Sequence, residues 1–225
     1  MAGHDLDNPF WSALRSRHAD IALVAGEVAR YPADHAPFLG VAHADVDVAE
    51  AIDALIAPDE SVYLLGVAPS APSGWRLTFL GDLVQMIRDA PMTVEDGPPI
   101  VPLGEAQRAD ALALTALVYP HYFRERTMAM GRYFGIYRDG RLAAMAGERL
   151  GTERFQEVSA ICTHPDFVGR GHARRLTAML SNDILAGGRT PYLHVSPANV
   201  RARTTYERLG YRLRREIPFW SLRRA

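Results

Sequence analysis

The clearest alternation of apolar and polar positions lies in the second half of the chain. Over residues 173–185, Ala173, Leu176, Leu180 and Ile184 recur at steps of three and four, which is one stripe of a helix. A short apolar run over residues 158–163 precedes it and reads as a strand. Around this pair the order from residue 100 onward can be followed. A strand over 100–103 leads to a helix over 105–119, which Pro120 interrupts, with a short helical piece reaching about Met130. Strands over 133–138 and 141–150 are joined by Asp139-Gly140, the two-residue hairpin signal, and a third strand covers 154–163. The long helix ends at Gly187-Gly188. A strand over 191–195, a helix over 199–209 closed by Gly210, and a final strand over 211–220 complete the series.

The first 95 residues are less regular and predict a mixed α/β half. Asn8-Pro9-Phe10-Trp11 opens a short helix ending near Arg17. Residues 21–25 are strand-like, with 29–31 as a hairpin partner. Asp47-Val48-Ala49-Glu50 has capping-box spacing and starts a helix reaching Ile56, with Asp47 as its N-cap. Strands over 61–67 and 75–79 flank the Pro69–Gly74 loop. Asp96-Gly97-Pro98-Pro99 then breaks either kind of element, dividing the chain into 1–97 and 98–225.

Between the 158–163 strand and the long helix runs His164-Pro165-Asp166-Phe167-Val168-Gly169-Arg170-Gly171-His172-Ala173. A strand, a glycine-containing turn and a helix bring several backbone N–H groups to one place. The helix start adds unpaired donors and partial positive charge. Gly169 and Gly171 carry no side chains to keep a bulky anion away, so a phosphate or pyrophosphate is the natural guest. The pattern lacks the third glycine and distant acid of a dinucleotide fingerprint, and the Lys-Ser/Thr of a P-loop.

The turn resembles motif A of the GNAT superfamily of N-acetyltransferases, Gln/Arg-x-x-Gly-x-Gly/Ala. Gly171 and Ala173 match, whereas Val168 stands where Gln or Arg is usual and removes one side-chain contact to a pyrophosphate. A second resemblance lies in Asn199-x-x-Ala202-x-x-x-Tyr206-x-x-x-Gly210-Tyr211, where Asn199 and Tyr206 share a helix face two turns apart. The element order of residues 100–220 is similar to that of the family throughout. The resemblance implies an α+β fold with a mixed, mostly antiparallel central sheet flanked by helices, and acetyl-CoA as co-substrate. It also implies a cofactor site of Ile161, Cys162 and Thr163, whose backbone would pair with the pantetheine amides where the sheet splays after Thr163. Val168, Gly169, Arg170, Gly171, His172 and Ala173 would form the phosphate cradle, and Asn199 and Tyr206 would lie along the pantetheine and near the thioester sulfur. The Asn8–Trp11 opening and the acidic first half resemble the amino-terminal region of glycine N-acyltransferase-like GNAT proteins, a degenerate partial copy of the fold.

Acetyl transfer to an amine needs a held thioester, a deprotonated amine and a stabilised leaving thiolate. Tyr206 is the candidate acid for the thiolate. Glu157 is the candidate base, because several GNAT enzymes place a catalytic glutamate at the start of this strand. Alternation would put Glu157, Ser159 and Ile161 on one face, where burial against aromatic side chains would raise the carboxyl pKa. Glu148 on the neighbouring strand is a second candidate. Cys162 with His164 or His194 could form a thiol nucleophile, but its apolar strand favours a small buried hydrophobe. The histidines show no metal spacing, and no metal is expected.

Charge and composition narrow the setting. The net charge of −1 hides a division: residues 1–97 hold 15 Asp/Glu against 5 Arg, and residues 98–225 hold 11 against 20. Every basic residue is arginine, which excludes Schiff-base lysine chemistry. The basic half carries no zinc-finger or RRM signature, so a polyanionic cofactor explains it better than nucleic acid. The arginines at 201, 203, 208, 212, 214 and 215 form a solvated face or hold the 3′-phosphate of coenzyme A. A single cysteine fits a reducing compartment. Asp5 and Asp7 disfavour a signal-peptide start, and no apolar run approaches the ~20 residues of a membrane span, so a cytoplasmic protein is expected. The expected function is acetyl transfer from acetyl-CoA to a small-molecule primary amine in a ternary complex. A homodimer is compatible with this, and a catalytically weak acyl-CoA sensor is the alternative.

Overall fold

The computed structural model describes residues 4–225. The first half opens with a 3-10 turn (Asp5–Asp7) and α1 (Pro9–Leu14), with Pro9 in the first helical turn. The hairpin β1 (Leu23–Ala25) and β2 (Val28–Arg30) is joined by β3 (Leu39–Val41) in a small antiparallel sheet. Three-residue β3 has too little pattern to be read from sequence. α2 (Ala49–Leu55) follows, and the Asp47 carboxylate accepts from the Ala49 N–H at 3.1 Å, so Asp47 caps from one position before the N-cap.

All remaining strands share one eight-stranded sheet. They are β4 (Val62–Leu65), β5 (Trp75–Ile87), β6 (Val101–Leu103), β7 (Tyr133–Arg138), β8 (Arg141–Gly151), β9 (Phe155–Thr163), β10 (Thr190–Val195) and β11 (Arg212–Arg224), in the order β4-β11-β5-β10-β9-β8-β7-β6. Every pairing is antiparallel except β9 with β10. The mixed α+β architecture with a mostly antiparallel central sheet is therefore the one predicted. Asp139 (φ 51) and Gly140 (φ 74) form the predicted two-residue turn between β7 and β8, with both central residues at positive φ.

The division at residue 97 does not separate two sheets. β5, from the first half, lies between β10 and β11 of the second, and β4 covers the other edge of β11. The sequence shows only the start of β5. Gly81 and Asp82 interrupt its pattern, and Phe79 and Leu80 are half exposed where it extends with β11 as a ribbon.

α4 (His172–Ala186) buries Leu176, Leu180 and Ile184 against Ile136, Ala144, Ala146 and Val158 on one face of the sheet. α3 (Arg108–Val118) packs Ala111 and Leu114 on the opposite face with Leu103, Tyr133, Met145 and Cys162. α5 (Val200–Arg208) closes over β5 and β10 through Tyr206, Leu193 and Val195. The first half packs Leu6, Phe10, Leu14, Tyr31 and Phe38 over Leu150 and Tyr192, on the α3 side of the sheet.

Much of the charge asymmetry is consumed between the halves. Asp5 pairs with Arg154, Asp7 with Arg214 and Arg215, Asp34 with Arg126, Asp53 with Arg224, Asp89 with Arg212, and Glu95 with Arg174. Six of the fifteen acidic residues of the first half thus pair with seven of the twenty arginines of the second.

Candidate active site

β9 and β10 run parallel only over Thr190–Tyr192 against Phe155–Glu157. Beyond Glu157 they part, leaving the β10-facing edge of residues 158–163 without a strand partner. The splay begins six positions earlier than the predicted point after Thr163. Its other edge stays on β8 but carries a bulge, with Ala160 at φ 50 and the register shifting between Met145 and Gly147. The bulge also breaks strict alternation. Glu157 faces the first half, whereas Ile161 packs toward α4 and Ala178, so the two do not share the predicted face.

The opened edge leads into a cleft of about 640 Å³. Its wall holds Ile161, Cys162 and Thr163 from β9, the whole Val168–Ala173 turn, and Asn199 and Tyr206 from α5. Every residue assigned to the cofactor from sequence therefore lines one cleft, joined by Arg174, Arg201 and Arg208.

The turn is built to present donors. Gly171 is the N-cap of α4 in the left-handed region at φ 77, and Gly169 lies at φ 86. A β-carbon at 169 would meet no atom within 4 Å, so glycine is required there by its backbone angle rather than by crowding. Arg175 makes the first intrahelical bond, to the Gly171 carbonyl, and the N–H groups of His172, Ala173 and Arg174 are left to the cleft. Val168 is exposed on its rim, as the missing Gln or Arg suggested.

Asn199 caps α5, its side-chain oxygen accepting from the Ala202 N–H at 3.1 Å, which leaves the amide nitrogen as a donor for a ligand. Tyr206 is buried and lines the cleft. Burial, and then proximity to Cys162, raises its pKa, so it is a neutral donor at the inner wall. Burial likewise pushes the Cys162 thiol up to about 12, in keeping with a small buried hydrophobe.

Glu157, the candidate base, does not line the cleft. Arg149 donates Nε to Oε2 at 2.7 Å and its NH2 group to Oε1 at 2.8 Å, and His194 Nδ1 lies 2.7 Å from Oε1. Burial alone would raise this carboxyl, but Arg149 and then His194 hold it well below the usual carboxylate range. The predicted upward shift fails because an arginine, not an aromatic wall, faces it.

The network continues through Gln85. Its oxygen accepts from Arg214 at 2.8 Å, so its amide nitrogen donates to the Leu6 carbonyl at 2.9 Å and to His194 Nε2 at 3.0 Å. His194 is thereby fixed as the tautomer protonated on Nδ1 and donates to Glu157. Glu148, the second candidate base, is held by Arg132 at 2.7 Å and also lies outside the cleft. Arg149, His194 and Gln85 were not assigned to this network from sequence. Its one legible signal was the charged pair Glu148-Arg149 in the otherwise apolar 142–150 run, since a buried charge there requires a partner.

Among the described residues no group of three or more His, Cys, Asp or Glu could hold a metal ion, and no helix is long and apolar enough to cross a membrane.

The comparisons agree with this geometry. Residues 133–220 match the family model described as FR47-like protein. A GNAT-family acetyltransferase from Novosphingobium aromaticivorans is similar over 99% of this chain and 100% of its own, at 35% identity and a TM-score of 0.89. A GCN5-related N-acetyltransferase from Kribbella flavida shares the fold at 18% identity and a TM-score of 0.61, covering 93% of this chain and 91% of that one. A GCN5-related N-acetyltransferase-like protein from Streptococcus suis does so at 14% and 0.57, covering 92% of each chain. No curated protein matches the chain. With a relative of more than one-third identity along essentially its whole length, and the splayed sheet, glycine cradle and tyrosine on the page, the chain belongs to the GNAT family of acetyltransferases.

Proposed function

We propose that the protein is an N-acetyltransferase that moves an acetyl group from acetyl-CoA to the primary amine of a small molecule or amino acid, by direct attack in a ternary complex. The observation that carries this reading is the single cleft joining a helix N-terminus, an unpaired strand edge and a buried tyrosine. The residues present fit acetyl-CoA. Free N–H groups at 172–174 suit a pyrophosphate, Arg170, Arg201 and Arg208 suit the further phosphate, and the open β9 edge suits an extended diamide. Acetyl-CoA would supply the activated acyl group.

In this reading Tyr206, on the wall of the cleft, protonates the leaving thiolate. The lining of the cleft includes no carboxylate among the described residues. An alkyl amine, only about one part in a thousand neutral at pH 7, would therefore lose its proton to water. A buried free thiol is in keeping with a cytoplasmic setting.

Free-thiol release from acetyl-CoA across an amine panel tests the proposal. Turnover with at least one primary amine is expected, with a rate that climbs toward the amine's own pKa. The absence of a free carboxylate favours a second reading, a catalytically weak acyl-CoA sensor. It predicts a thermal shift with acetyl-CoA but no thiol release with any amine.

A further inference from the structure

A second cavity, of about 420 Å³, opens beside the cleft. Four arginines line it, Arg88, Arg174, Arg175 and Arg208, and Glu95 is the one carboxylate in that lining among the described residues. Arg174 and Arg208 line the cleft as well, so the two cavities share a wall. Another wall comes from Pro91, Met92, Thr93 and Glu95, in the link between the two halves of the chain. That link is pinned to α4, because the Asn182 side chain accepts from the Met92 N–H at 2.9 Å and donates to the Met92 carbonyl at 2.7 Å.

The positive charge of this pocket is held in place more than it is neutralised. Arg88 donates to the carbonyls of Gly210 at 3.1 Å and Pro91 at 2.9 Å, and its Nε is buried with no partner among the described residues. Arg175 donates to the carbonyls of Glu95, at 2.8 Å, and of Pro98. A carbonyl orients a guanidinium but leaves its charge in place. The lining carboxylate, Glu95, goes to Arg174, in a pair whose side chains are 54% and 43% exposed. So exposed a pair contributes little and gives way to a stronger anion. Four guanidinium groups around one carboxylate suit a doubly charged guest with several acceptor oxygens, which describes a phosphate monoester.

We propose that this pocket receives the 3′-phosphate of coenzyme A, and that Glu95 occupies Arg174 until the cofactor displaces it. This rests on the acetyl-CoA reading above. Arg174 borders both the pyrophosphate cradle and the pocket, just as the ribose of the cofactor joins its pyrophosphate to its 3′-phosphate. Of the three arginines that suit the further phosphate from inside the cleft, Arg208 alone also lines the pocket. Donor selectivity follows. A thioester that carries the 3′-phosphate is preferred to one that lacks it, whether acetyl-dephospho-CoA or an acyl group on the phosphopantetheine arm of a carrier protein. Residues of the link, rather than of the GNAT motifs, then set which thioester is used.

Calorimetric titration of the wild type with acetyl-CoA and with acetyl-dephospho-CoA is the test, since the two donors differ only in the 3′-phosphate. Acetyl-CoA is expected to bind about tenfold tighter or more, the worth of hydrogen bonds to a charged group. That preference should shrink as salt rises. Arg88→Gln and Arg175→Gln, which change residues outside the cleft, should each cut it at least ~3-fold, with acetyl-dephospho-CoA bound as before. Glu95→Gln should widen it, because the phosphate no longer has a carboxylate to displace. Equal wild-type affinity for the two donors would overturn the proposal without recourse to any variant. If inorganic phosphate then raised the melting temperature of wild type but not of Arg88→Gln, the pocket would belong to a separate anion. A preference that survives both arginine changes in folded proteins would place the 3′-phosphate elsewhere and overturn the proposal too. Wild-type protein binding neither donor would instead refute the acetyl-CoA reading, and this proposal with it.

Discussion

Replacing Glu157 by glutamine separates a catalytic carboxylate from a structural one. In the native site Oε1 accepts from Arg149 and His194, and Oε2 from the Arg149 Nε, so every contact requires an oxygen. A glutamine offers only one. If it faces His194, its amide nitrogen meets the Arg149 guanidinium, donor against donor. The Glu157 side chain is 1% exposed and that of Arg149 17%, so water cannot readily replace the lost charge. Breaking one partner of such a pair costs about 3–5 kcal/mol. At roughly 2–4 °C per kcal/mol for a chain of this size, the melting temperature should fall by about 6–20 °C. Adding Arg149→Met removes the stranded charge and should restore at least half of that loss. Scanning calorimetry of both variants, with single-turnover transfer measured well below their melting points, gives the two readouts. A Glu157→Gln protein as stable as wild type but slowed a hundredfold or more would refute the structural role and return Glu157 to the base.

Tyr206→Phe should leave stability and acetyl-CoA affinity nearly unchanged while slowing the chemical step about 10²- to 10⁴-fold, as expected for loss of a general acid. A single-turnover loss under threefold in a folded variant would dismiss that role. Gly171→Val forces a β-branched residue to φ 77, costing roughly 1–2 kcal/mol of stability, and should abolish the thermal shift given by acetyl-CoA. A retained shift would place the phosphate cradle elsewhere. The folded-state pKa of Glu157 lies below its unfolded value, so its stabilisation is complete above the unfolded pKa of about 4.5 and is lost as pH falls toward the folded value. Acid melts should therefore be steeper below pH ~4.5 for wild type than for Glu157→Gln, and parallel curves would contradict this. Residues 98–225 expressed alone leave both edges of β11 and one edge of β10 unpaired, and should show no cooperative melt, whereas a sharp transition with acetyl-CoA binding would show that the strands from the first half are dispensable.

The cofactor wall was legible because its requirements are local. Gly169 and Gly171 must take positive φ, and Asn199 and Tyr206 must share a helix face, and both facts are written within a dozen residues. The nine strands and helices from residue 100 onward followed for the same reason, each having its own period or its own turn. What escaped was whatever depends on a distant partner. The role of Glu157 turned on Arg149 and His194, which reach it from two other strands. The length of β5 turned on β10 and β11, which lie more than a hundred residues away and pair its polar stretch that local alternation cannot explain. The bulge at Ala160 reversed the facing of Ile161, and no residue there announces a positive φ.

The placement of β5 has a consequence for how the molecule comes into being. A chain emerging from the ribosome makes Trp75–Ile87 early, yet its neighbours in the sheet are Thr190–Val195 and Arg212–Arg224. Until those residues arrive, a thirteen-residue strand waits with both edges open, half-exposed Phe79 and Leu80 along it. Pairings at such separation are slow to close and are the stage at which open strand edges find other chains. The cleft shares this timing, because Tyr206 packs on Val84 and Met86 of that strand. Synthesis therefore has to run almost to the C-terminus before any acetyl-transfer site can exist. The yield of active protein should then depend on growth temperature and chaperone supply more than the equilibrium stability of the finished fold would suggest.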